Sequence, residues 1–401
     1  MMNKKISLGA AVTFCAIVAA ITFAITWMAS SDTFDGLVSN LTQRDEIYQK
    51  MDEIDKYVRT NYLNQNEVDD QALQDSIATG YLAGLGDKYA AYYTADSLKQ
   101  KELDSKGVMV GIGVTASEDE SGYIKIISTY TDSPAEAAGI LPQDLIVSVD
   151  GEDVKSIGYL KAMEKVKGEA GTTVKLVVRR GGQDSEMEVS RKQMEIPTVE
   201  YRMEGQNGYI KISSFKEATI DQFNKAIDEL TAQGAQGLIF DLRENSGGTL
   251  DSVSKMLDKL LPEGVIATKV KADGTSEVLA ESDAVEINLP MVTIGNKNTA
   301  SAAELFICAL RDYDKAKLVG TTTYGKGVMQ ELHTLKDGSA INLTTGYFNP
   351  PKSENFNNKG ITPDFEVKLT EDQQKLFDER ALELENDPQF TKAVEVLNTT
   401  K

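Results

Sequence analysis

The chain has 401 residues, 41% of them apolar, which is enough to bury the cores of two or three domains. Its formal net charge is −20, from 62 acidic and 42 basic side chains, so nucleic acid is excluded as an expected partner because such binding needs cations against phosphates. Because His333 is the single histidine, a zinc site built on several histidines is excluded. A Ser-His-Asp triad would have to use His333 as its base. We expect no metal and no cofactor.

The two cysteines, Cys15 and Cys308, lie in an apolar N-terminal run and in a predicted helix, so no disulfide is expected.

An uncharged apolar run from Ile6 to Ala29 follows the N-terminal residues MMNKK. Its 24 residues, at about 1.5 Å of helix each, can cross a hydrocarbon core of roughly 30 Å. Lysines precede the run and aspartates follow it, which places the N-terminus in the cytoplasm. We therefore expect residues 1–32 to form a cytoplasmic N-terminus and a single-pass transmembrane anchor in the cell membrane, with an extracytoplasmic body. A cleaved signal peptide is the alternative.

Apolar residues spaced three and four apart predict helices in the region 33–105. The stretches are 33–60 and about 69–84. Long amphipathic helices outside a core serve either to form a homodimer or to pack on that core, and both remain open. The charged C-terminal segment, 371–401, is also predicted to be helical, with a break at Pro388.

Residues 106–190 show the pattern of one small β-rich domain with two helices. Short alternating segments bounded by glycines predict strands, and Ser-Pro followed by Gly predicts a short helix. The predicted strands are Val108–Val114, Tyr123–Ser128, Asp144–Asp150 and Thr172–Arg180, and the predicted helices begin at Ser133 and span Ser156–Val166.

Residues 191–370 alternate buried strands with helices, which predicts an α/β core of parallel strands covered by helices. The predicted strands are Gly208–Ile212, Gly237–Leu242, Met291–Gly295 and Leu318–Gly320, and the predicted helices are Thr219–Gln233, Leu250–Leu261 and Ala302–Leu310. Ligand sites in such sheets lie at the carboxyl ends of strands, so the segments that follow these strands are the candidates for chemistry.

The segment 298–304, NTASAAE, follows a buried strand and opens a helix. Ser301 would lie near backbone N–H groups at the positive end of that helix, which suits a nucleophile and a developing oxyanion. Ser301 and Glu304 also have the spacing of a capping box, so simple helix capping is the alternative.

Lys326 lies between two glycines in the segment YGKGVMQ, ahead of a predicted strand. A lysine can act as a base when its pKa falls toward neutrality, which burial among apolar neighbours such as Val328 achieves. Gln330 could donate a hydrogen bond to the neutral amine and orient it. A solvated loop lysine is the alternative, and the pattern of a phosphate-binding P-loop is absent.

Two further segments can bind ligands through their backbone. The turn 241–248, DLRENSGG, follows a buried strand, and its N–H groups could form an anion-binding nest, with a plain turn as the alternative. Gly111, Ile112 and Gly113 lie in an extended segment to which a peptide could add as a strand, with a plain strand as the alternative. His333 is predicted to be a structural residue in a strand.

Together, these segments resemble the carboxyl-terminal processing (tail-specific) serine peptidases, over about residues 69–367. Four elements occur in the order found in that family: DLRENSGG at 241–248, NTASAAE at 298–304, GKGVMQ at 325–330 and GITPD at 360–364. The resemblance implies a crotonase-like βαβ protease core over 191–370, with a PDZ-like domain at 106–190 inserted before it. The implied fold class is a multidomain α/β protein with flanking helices.

Carried over residue by residue, the resemblance implies a Ser-Lys dyad. Ser301 would attack the scissile carbonyl, neutral Lys326 would take its proton, and Gln330 would position the lysine. The backbone N–H groups of Gly247 and Ala302 would form the oxyanion hole.

In the PDZ-like domain, the resemblance implies that Gly111, Ile112 and Gly113 bind the terminal carboxylate of a protein substrate. Two positions depart from the family. Ser246 stands in place of a proline, and because serine accepts the same φ we expect the turn to be kept. Lys167 stands where some members carry an arginine thought to couple peptide occupancy to activation, and it keeps the charge but loses the bidentate fork.

The sequence thus predicts a membrane-anchored, extracytoplasmic serine endopeptidase that binds protein C-terminal tails and cleaves them through an acyl-enzyme. A catalytically inactive, membrane-tethered PDZ scaffold is the main alternative. A crotonase-type acyl-thioester enzyme would share the core, but its cofactors are cytosolic.

Overall fold

The computed structural model describes residues 42–399 together with residue 22. The predicted anchor, from Ile6 to Ala29, lies outside these residues except at that one position, and none of the described helices has the length and apolar character needed to cross a membrane. The chain divides into two compact units, the first ending at Ile77 and the second beginning at Ala78.

The first unit is helical. Residues 42–61 form α1, a short 3-10 turn covers Gln65–Glu67, and α2 spans Asp70–Ala83. The Arg59 guanidinium of α1 binds Asp55 one turn earlier at 2.9 Å and reaches Asp70 at 2.6 Å. This pair of contacts fastens the end of α1 to the start of α2.

A five-stranded antiparallel sheet with one short side strand forms the region that sequence analysis assigned to a β-rich domain. Its order is β3-β4-β5-β7-β8, with β6 on β5, so β3 is an edge strand. Its core is closed by α4 to α6. The elements of 78–190 are β1 (Ala91–Tyr93), α3 (Ala95–Lys106), β2 (Val108–Gly111), β3 (Val114–Glu118), β4 (Ile124–Thr129), α4 (Pro134–Ala137), β5 (Leu145–Val149), β6 (Glu152–Asp153), α5 (Val154–Ile157), α6 (Tyr159–Val166), β7 (Thr173–Arg180) and β8 (Gln183–Ser190).

The rest of the chain forms two further sheets and their helices. Its elements are β9 (Lys192–Glu195), β10 (Val199–Glu204), β11 (Asn207–Ile212), α7 (Glu217–Ala232), β12 (Leu238–Asp241), α8 (Leu250–Asp258), β13 (Gly264–Lys271), β14 (Ser276–Ser282), β15 (Met291–Gly295), α9 (Ala302–Asp312), β16 (Ala316–Gly320), β17 (Val328–Thr334), β18 (Ala340–Asn349), β19 (Phe365–Glu366), α10 (Glu371–Asp378) and α11 (Pro388–Thr399). The strands β2 and β9 pair as a ribbon through which the chain enters and leaves the β-rich domain.

The central sheet has the order β10-β11-β12-β15-β16-β19, parallel from β11 onward. Both of its faces are buried because alternate residues of each strand meet different helices. On β12, Leu238 and Phe240 pack with α7, α8 and α9, whereas Ile239 packs with α11. The predicted parallel core is present, and its strand ends carry the segments singled out in the sequence.

A second sheet lies beside this core, with the order β1-β18-β13-β14 and with β17 paired to β18. All its pairs are antiparallel. His333 lies in β17 and is exposed. This sheet supplies the strand that follows Lys326.

Candidate active site

A cleft of about 490 Å³ brings together residues from three of the segments that sequence analysis singled out. Ser301, Ala302, Lys326 and Gln330 all line it. Its apolar wall is formed by Phe215, Leu250, Leu305, Val328, Met329, Leu332 and Phe348, and charged side chains at its border are Lys101, Asp104 and Lys216.

Ser301 has an unusual backbone conformation at the start of α9. Its φ is +58°, in the region that residues with a side chain rarely adopt, and such conformations cluster at functional sites. Its N–H donates to the Glu304 carboxylate at 2.9 Å. The helix cap that sequence analysis treated as the alternative to catalysis is therefore present in part, and it holds the strained residue in place.

Glu304 joins the serine segment to the lysine segment. Its carboxylate is fully buried and accepts hydrogen bonds from four donors: the N–H groups of Ser301, Gly325 and Lys326, at 2.7 to 2.9 Å, and the Thr323 hydroxyl at 2.5 Å. Burial raises the pKa of Glu304 despite these donors. Sequence reasoning gave Glu304 only the role of a capping partner.

Lys326 is half-buried in the cleft. Burial lowers the pKa of its amine, and the positive charge of Lys101 lowers it further. Its Nζ lies 4.4 Å from the centroid of the Tyr89 ring. Within the described chain no hydrogen bond joins this nitrogen to Ser301 Oγ, although both residues of the predicted dyad line the same cleft.

Gln330 lines the same cleft on β17, but its amide is used elsewhere. Its Nε2 donates to Thr344 Oγ1 on β18 at 3.2 Å, and it makes no hydrogen bond to Lys326. The predicted positioning bond is not formed in this structure because the amide faces the neighbouring strand.

The predicted oxyanion residues are adjacent to Ser301. A Cβ at Gly247, whose φ is +106°, would lie 2.9 Å from Ser301 Cβ and 3.0 Å from the Ala302 nitrogen. Only glycine permits this approach. The Ala302 N–H belongs to the first turn of α9, where a helix has no acceptor of its own. The Gly247 N–H, however, donates to Asn245 Oδ1 at 2.8 Å, so it is already engaged within the turn.

Asn245 is a residue that sequence reasoning missed. It is fully buried, and its Nδ2 donates to the Ile212 carbonyl at 2.9 Å. Its own carbonyl accepts from the Ala300 N–H at 2.9 Å. One asparagine thus connects the end of β11, the glycine turn and the serine segment, and the available signal was a lone amide inside a Gly-rich turn.

Two regions of the chain match known protein families. Residues 206–367 match the model of peptidase family S41, and residues 109–190 match that of the PDZ domain. A protein of Staphylococcus haemolyticus named "Probable CtpA-like serine protease" is 33% identical over 354 residues, covering 88% of this chain and 70% of that protein. The chain belongs to peptidase family S41. It groups with the CtpA-like carboxyl-terminal processing serine peptidases, and the resemblance drawn from its motifs is confirmed.

A second relative supports this placement of the S41 peptidase, and one solved structure bears on the fold alone. The carboxy-terminal processing protease CtpA of Bacillus subtilis is 32% identical over 328 residues, which cover 81% of this chain and 70% of that protein. A solved structure from Bacteroides fragilis, assigned to the S41 proteases, superposes with a TM-score of 0.53 at 18% identity and covers 87% of this chain and 97% of its own. It shares the mixed α/β fold.

In the PDZ domain of this S41 peptidase, Gly111 ends β2, and Ile112 and Gly113 lead into the edge strand β3. The Ile112 carbonyl accepts from Ala135 and the Gly113 carbonyl from Tyr130, each at 2.9 Å. Gly113 has a φ of +81°, which favours glycine. Because an ionised carboxylate only accepts hydrogen bonds, the N–H groups are the backbone groups that this segment could offer to it.

Lys167 is exposed at the end of α6, and its ammonium makes no ion pair within the described residues. A different cation supports this segment. Arg191, at the end of the domain, donates to the carbonyls of Lys165 at 2.6 Å and Val166 at 3.2 Å. It also donates to the Thr173 carbonyl at 3.0 Å. Arg191 thus supplies, near Lys167, the bidentate guanidinium that a lysine lacks. The sequence motifs did not reveal this role of Arg191.

Proposed function

We propose that this S41 peptidase cleaves peptide bonds with Ser301 as the nucleophile and Lys326 as the general base. The observation that carries the proposal is the Glu304 carboxylate, one oxygen of which accepts both the Ser301 N–H at 2.9 Å and the Lys326 N–H at 2.8 Å. The two backbone nitrogens therefore lie no further apart than the sum of these bonds. A lysine side chain is long enough to bring Nζ to Oγ from that position.

The reaction follows from these positions. Neutral Lys326 takes the proton of Ser301 Oγ as the oxygen attacks the scissile carbonyl carbon. The carbonyl oxygen becomes an oxyanion beside the Ala302 N–H, and Gly247 would add a second donor if its N–H turned from Asn245. Collapse breaks the carbon–nitrogen bond, and the Lys326 ammonium returns its proton to the leaving amine. Water then loses a proton to Lys326 as it attacks the acyl carbon, and the ammonium gives that proton to Ser301 Oγ as the acyl–oxygen bond breaks.

A protein C-terminal tail is the substrate class that the PDZ domain supports. Its edge strand β3 has a free side for an added strand, and Gly111 to Gly113 stand at the start of that strand. Strand addition with the carboxylate on backbone amides is a known mode of peptide capture. Gln330 would position Lys326 after turning away from Thr344, and Lys167 would act as a regulatory cation.

Membrane attachment rests on the sequence. The run from Ile6 to Ala29 would anchor the protein in the cell membrane with its body outside the cytoplasm.

Exposed apolar side chains of the first unit, among them Ile54 at 48% and Tyr57 at 70%, support a homodimer. Alkaline extraction of membranes tests the anchor, and sedimentation of the detergent-solubilised protein tests the dimer.

Labelling of the full chain with a fluorophosphonate tests the dyad. Ser301→Ala and Lys326→Ala should each abolish labelling and peptide hydrolysis. Ser105→Ala removes another serine of the same cleft, and Lys99→Ala removes a lysine outside it, so both should label normally. Wild-type labelling of Lys326→Ala would refute the dyad. No labelling of the wild-type chain, even with a tail peptide present, would favour the inactive scaffold.

A further inference from the structure

The ring of Tyr89 makes a cation–π contact with the Lys326 amine. Nζ lies 4.4 Å from the ring centroid, within the range of a cation–π contact. The same nitrogen has no hydrogen bond or ion pair there. The face of an aromatic ring attracts a cation through its quadrupole and attracts a neutral amine much less, so this contact favours the protonated lysine.

Hydrogen bonds hold the backbone of Tyr89 at both its N–H and its carbonyl. These bonds keep the segment that carries the ring next to Lys326. The Asp87 carboxylate accepts the N–H of Tyr89 at 2.9 Å and that of Thr344 at 3.2 Å. The Tyr89 carbonyl accepts from Asn342 Nδ2 at 3.3 Å. Both Thr344 and Asn342 belong to β18, the partner strand of β17 that follows Lys326.

The charged groups around Lys326 oppose one another. Lys101 of α3 and Lys88 disfavour its positive charge, whereas the Asp87 carboxylate favours it, as does Tyr324 once its phenol has ionised. Lys88 also lies over the Tyr89 ring, 4.9 Å from its centroid. Burial of the amine adds to the effect of the two lysines. The Tyr89 ring acts in the other direction, because it compensates an ammonium that has lost its water.

We propose that Tyr89 is a positioning residue that holds Lys326 in its protonated form, off Ser301, through the face of its ring. The proposal rests on the Ser-Lys dyad proposed above. Loss of the proton weakens the contact with Tyr89, and the neutral amine is then free to reach Ser301 Oγ. The ring therefore couples the position of the base to its protonation state.

The test is the pH profile of fluorophosphonate labelling at Ser301 in the full chain, measured as a rate for each variant. Tyr89→Leu removes the aromatic face, so the acid limb of the profile should move to lower pH. On that limb the labelling rate should rise about three- to tenfold, the range expected from losing one cation–π contact. Tyr89→Phe keeps the face and should reproduce the wild-type profile.

A matched control is Tyr123→Leu, because the Tyr123 ring carries Lys155 at 4.2 Å within the PDZ domain and outside the cleft. Its profile should equal that of the wild type. An unmoved acid limb in Tyr89→Leu, or a rate lowered at every pH, would overturn the role of Tyr89 while leaving the dyad intact. Normal labelling of Lys326→Ala would instead remove the dyad itself, so the two failures are distinguishable.

Discussion

At the residue scale, one carboxylate determines how the proposed nucleophile and the proposed base are arranged. Glu304 occupies the third position of α9 and would be an ordinary capping residue if its carboxylate met only its own helix. It also accepts the N–H groups of Gly325 and Lys326 from a separate loop. The capping and catalytic interpretations of this segment are therefore compatible, since the cap itself supports the loop that carries the lysine.

Glu304→Gln is predicted to abolish most activity while the fold remains. An amide has one accepting oxygen, so the donors that now share the second carboxylate oxygen would face an NH₂ group. Leaving buried donors unpaired destabilises a protein by about 1–3 kcal/mol each, and the Lys326 loop would shift. Labelling of Ser301 should fall at least about 100-fold because a displaced base no longer reaches the nucleophile.

The control for this prediction is Glu229→Gln on the exposed face of α7, where the carboxylate accepts one bond from the Tyr201 hydroxyl at 2.8 Å. Its labelling rate should be unchanged. Normal labelling of Glu304→Gln would show that its bonds to the lysine loop are not needed to align the dyad.

Lys101 gives a second prediction, on pH dependence. Its positive charge is among the causes that lower the pKa of Lys326, after burial. Lys101→Met should therefore raise the pKa of Lys326 and move the acid limb of the labelling profile to higher pH, with a rate about two- to fivefold lower on that limb. Lys99→Met alters the same helix at an exposed lysine paired with Asp96 and should leave the profile in place. A limb that moved to lower pH would show that the charge of Lys101 does not lower the pKa of Lys326.

At the element scale, sequence reasoning identified the parts with strong local signals. The parallel strands β12, β15 and β16 were predicted because continuous apolar runs with no polar face are typical of a sheet covered on both sides. The antiparallel sheet of β13, β14 and β18 was not predicted, because its strands are half-exposed and β13 pairs with β18, which is distant in sequence. The bond of Gln330 to Thr344 was missed because its partner lies on another strand. The bond of Gly247 to Asn245 lies within the DLRENSGG turn, and it was missed because the order of residues does not show how a turn folds its side chains.

The end of β12 also fastens the C-terminal helix to the sheet. Arg243 is 3% exposed and binds Asp241 at 2.5 Å and Asp387, just before α11, at 2.6 Å. Burial opposes the Arg243 charge, but the two carboxylates outweigh it and raise the pKa of the guanidinium. The arginine of the DLRENSGG turn is thus a structural clamp between α11 and the strand that leads to Gly247.

Arg243→Met is predicted to be strongly destabilising. It would leave two buried carboxylates without a cation, and breaking a buried pair in this way lowers the free energy of unfolding by about 3–5 kcal/mol. Arg311→Met breaks a partly exposed pair with Asp364 and should lower it by no more than about 1 kcal/mol. Denaturant unfolding followed by a probe in the protease core measures both. Equal losses would show that burial of the Arg243 cluster adds no stability.

At the scale of the whole molecule, the PDZ domain and the protease core fold around different hydrophobic residues. The cluster around Ile126 and Val178 in the PDZ domain shares no member with the cluster around Phe240 and Phe306 in the protease core. The chain passes between them through the β2–β9 ribbon. Damage confined to the tail-binding segment of the PDZ domain, away from Lys167, should therefore leave the chemistry at Ser301 intact and change only how a protein tail is held.

Gly113→Ala is predicted to separate these two functions. The residue has a φ of +81°, and an added Cβ would lie 2.4 Å from Ser133 Cβ, so the segment that would hold the carboxylate must shift. We expect the KM for peptides with a free C-terminus to rise about tenfold or more, with an unchanged fluorophosphonate labelling rate at Ser301. Gly122→Ala imposes the same backbone strain, at φ +80° in the same domain, but the atom nearest to its added Cβ would be 3.6 Å away. This variant should leave the KM unchanged. If both variants raise the KM equally, general loosening of the domain is responsible. If Gly113→Ala alone also slows labelling, this segment influences the catalytic site directly, and the independence of the two cores does not extend to function.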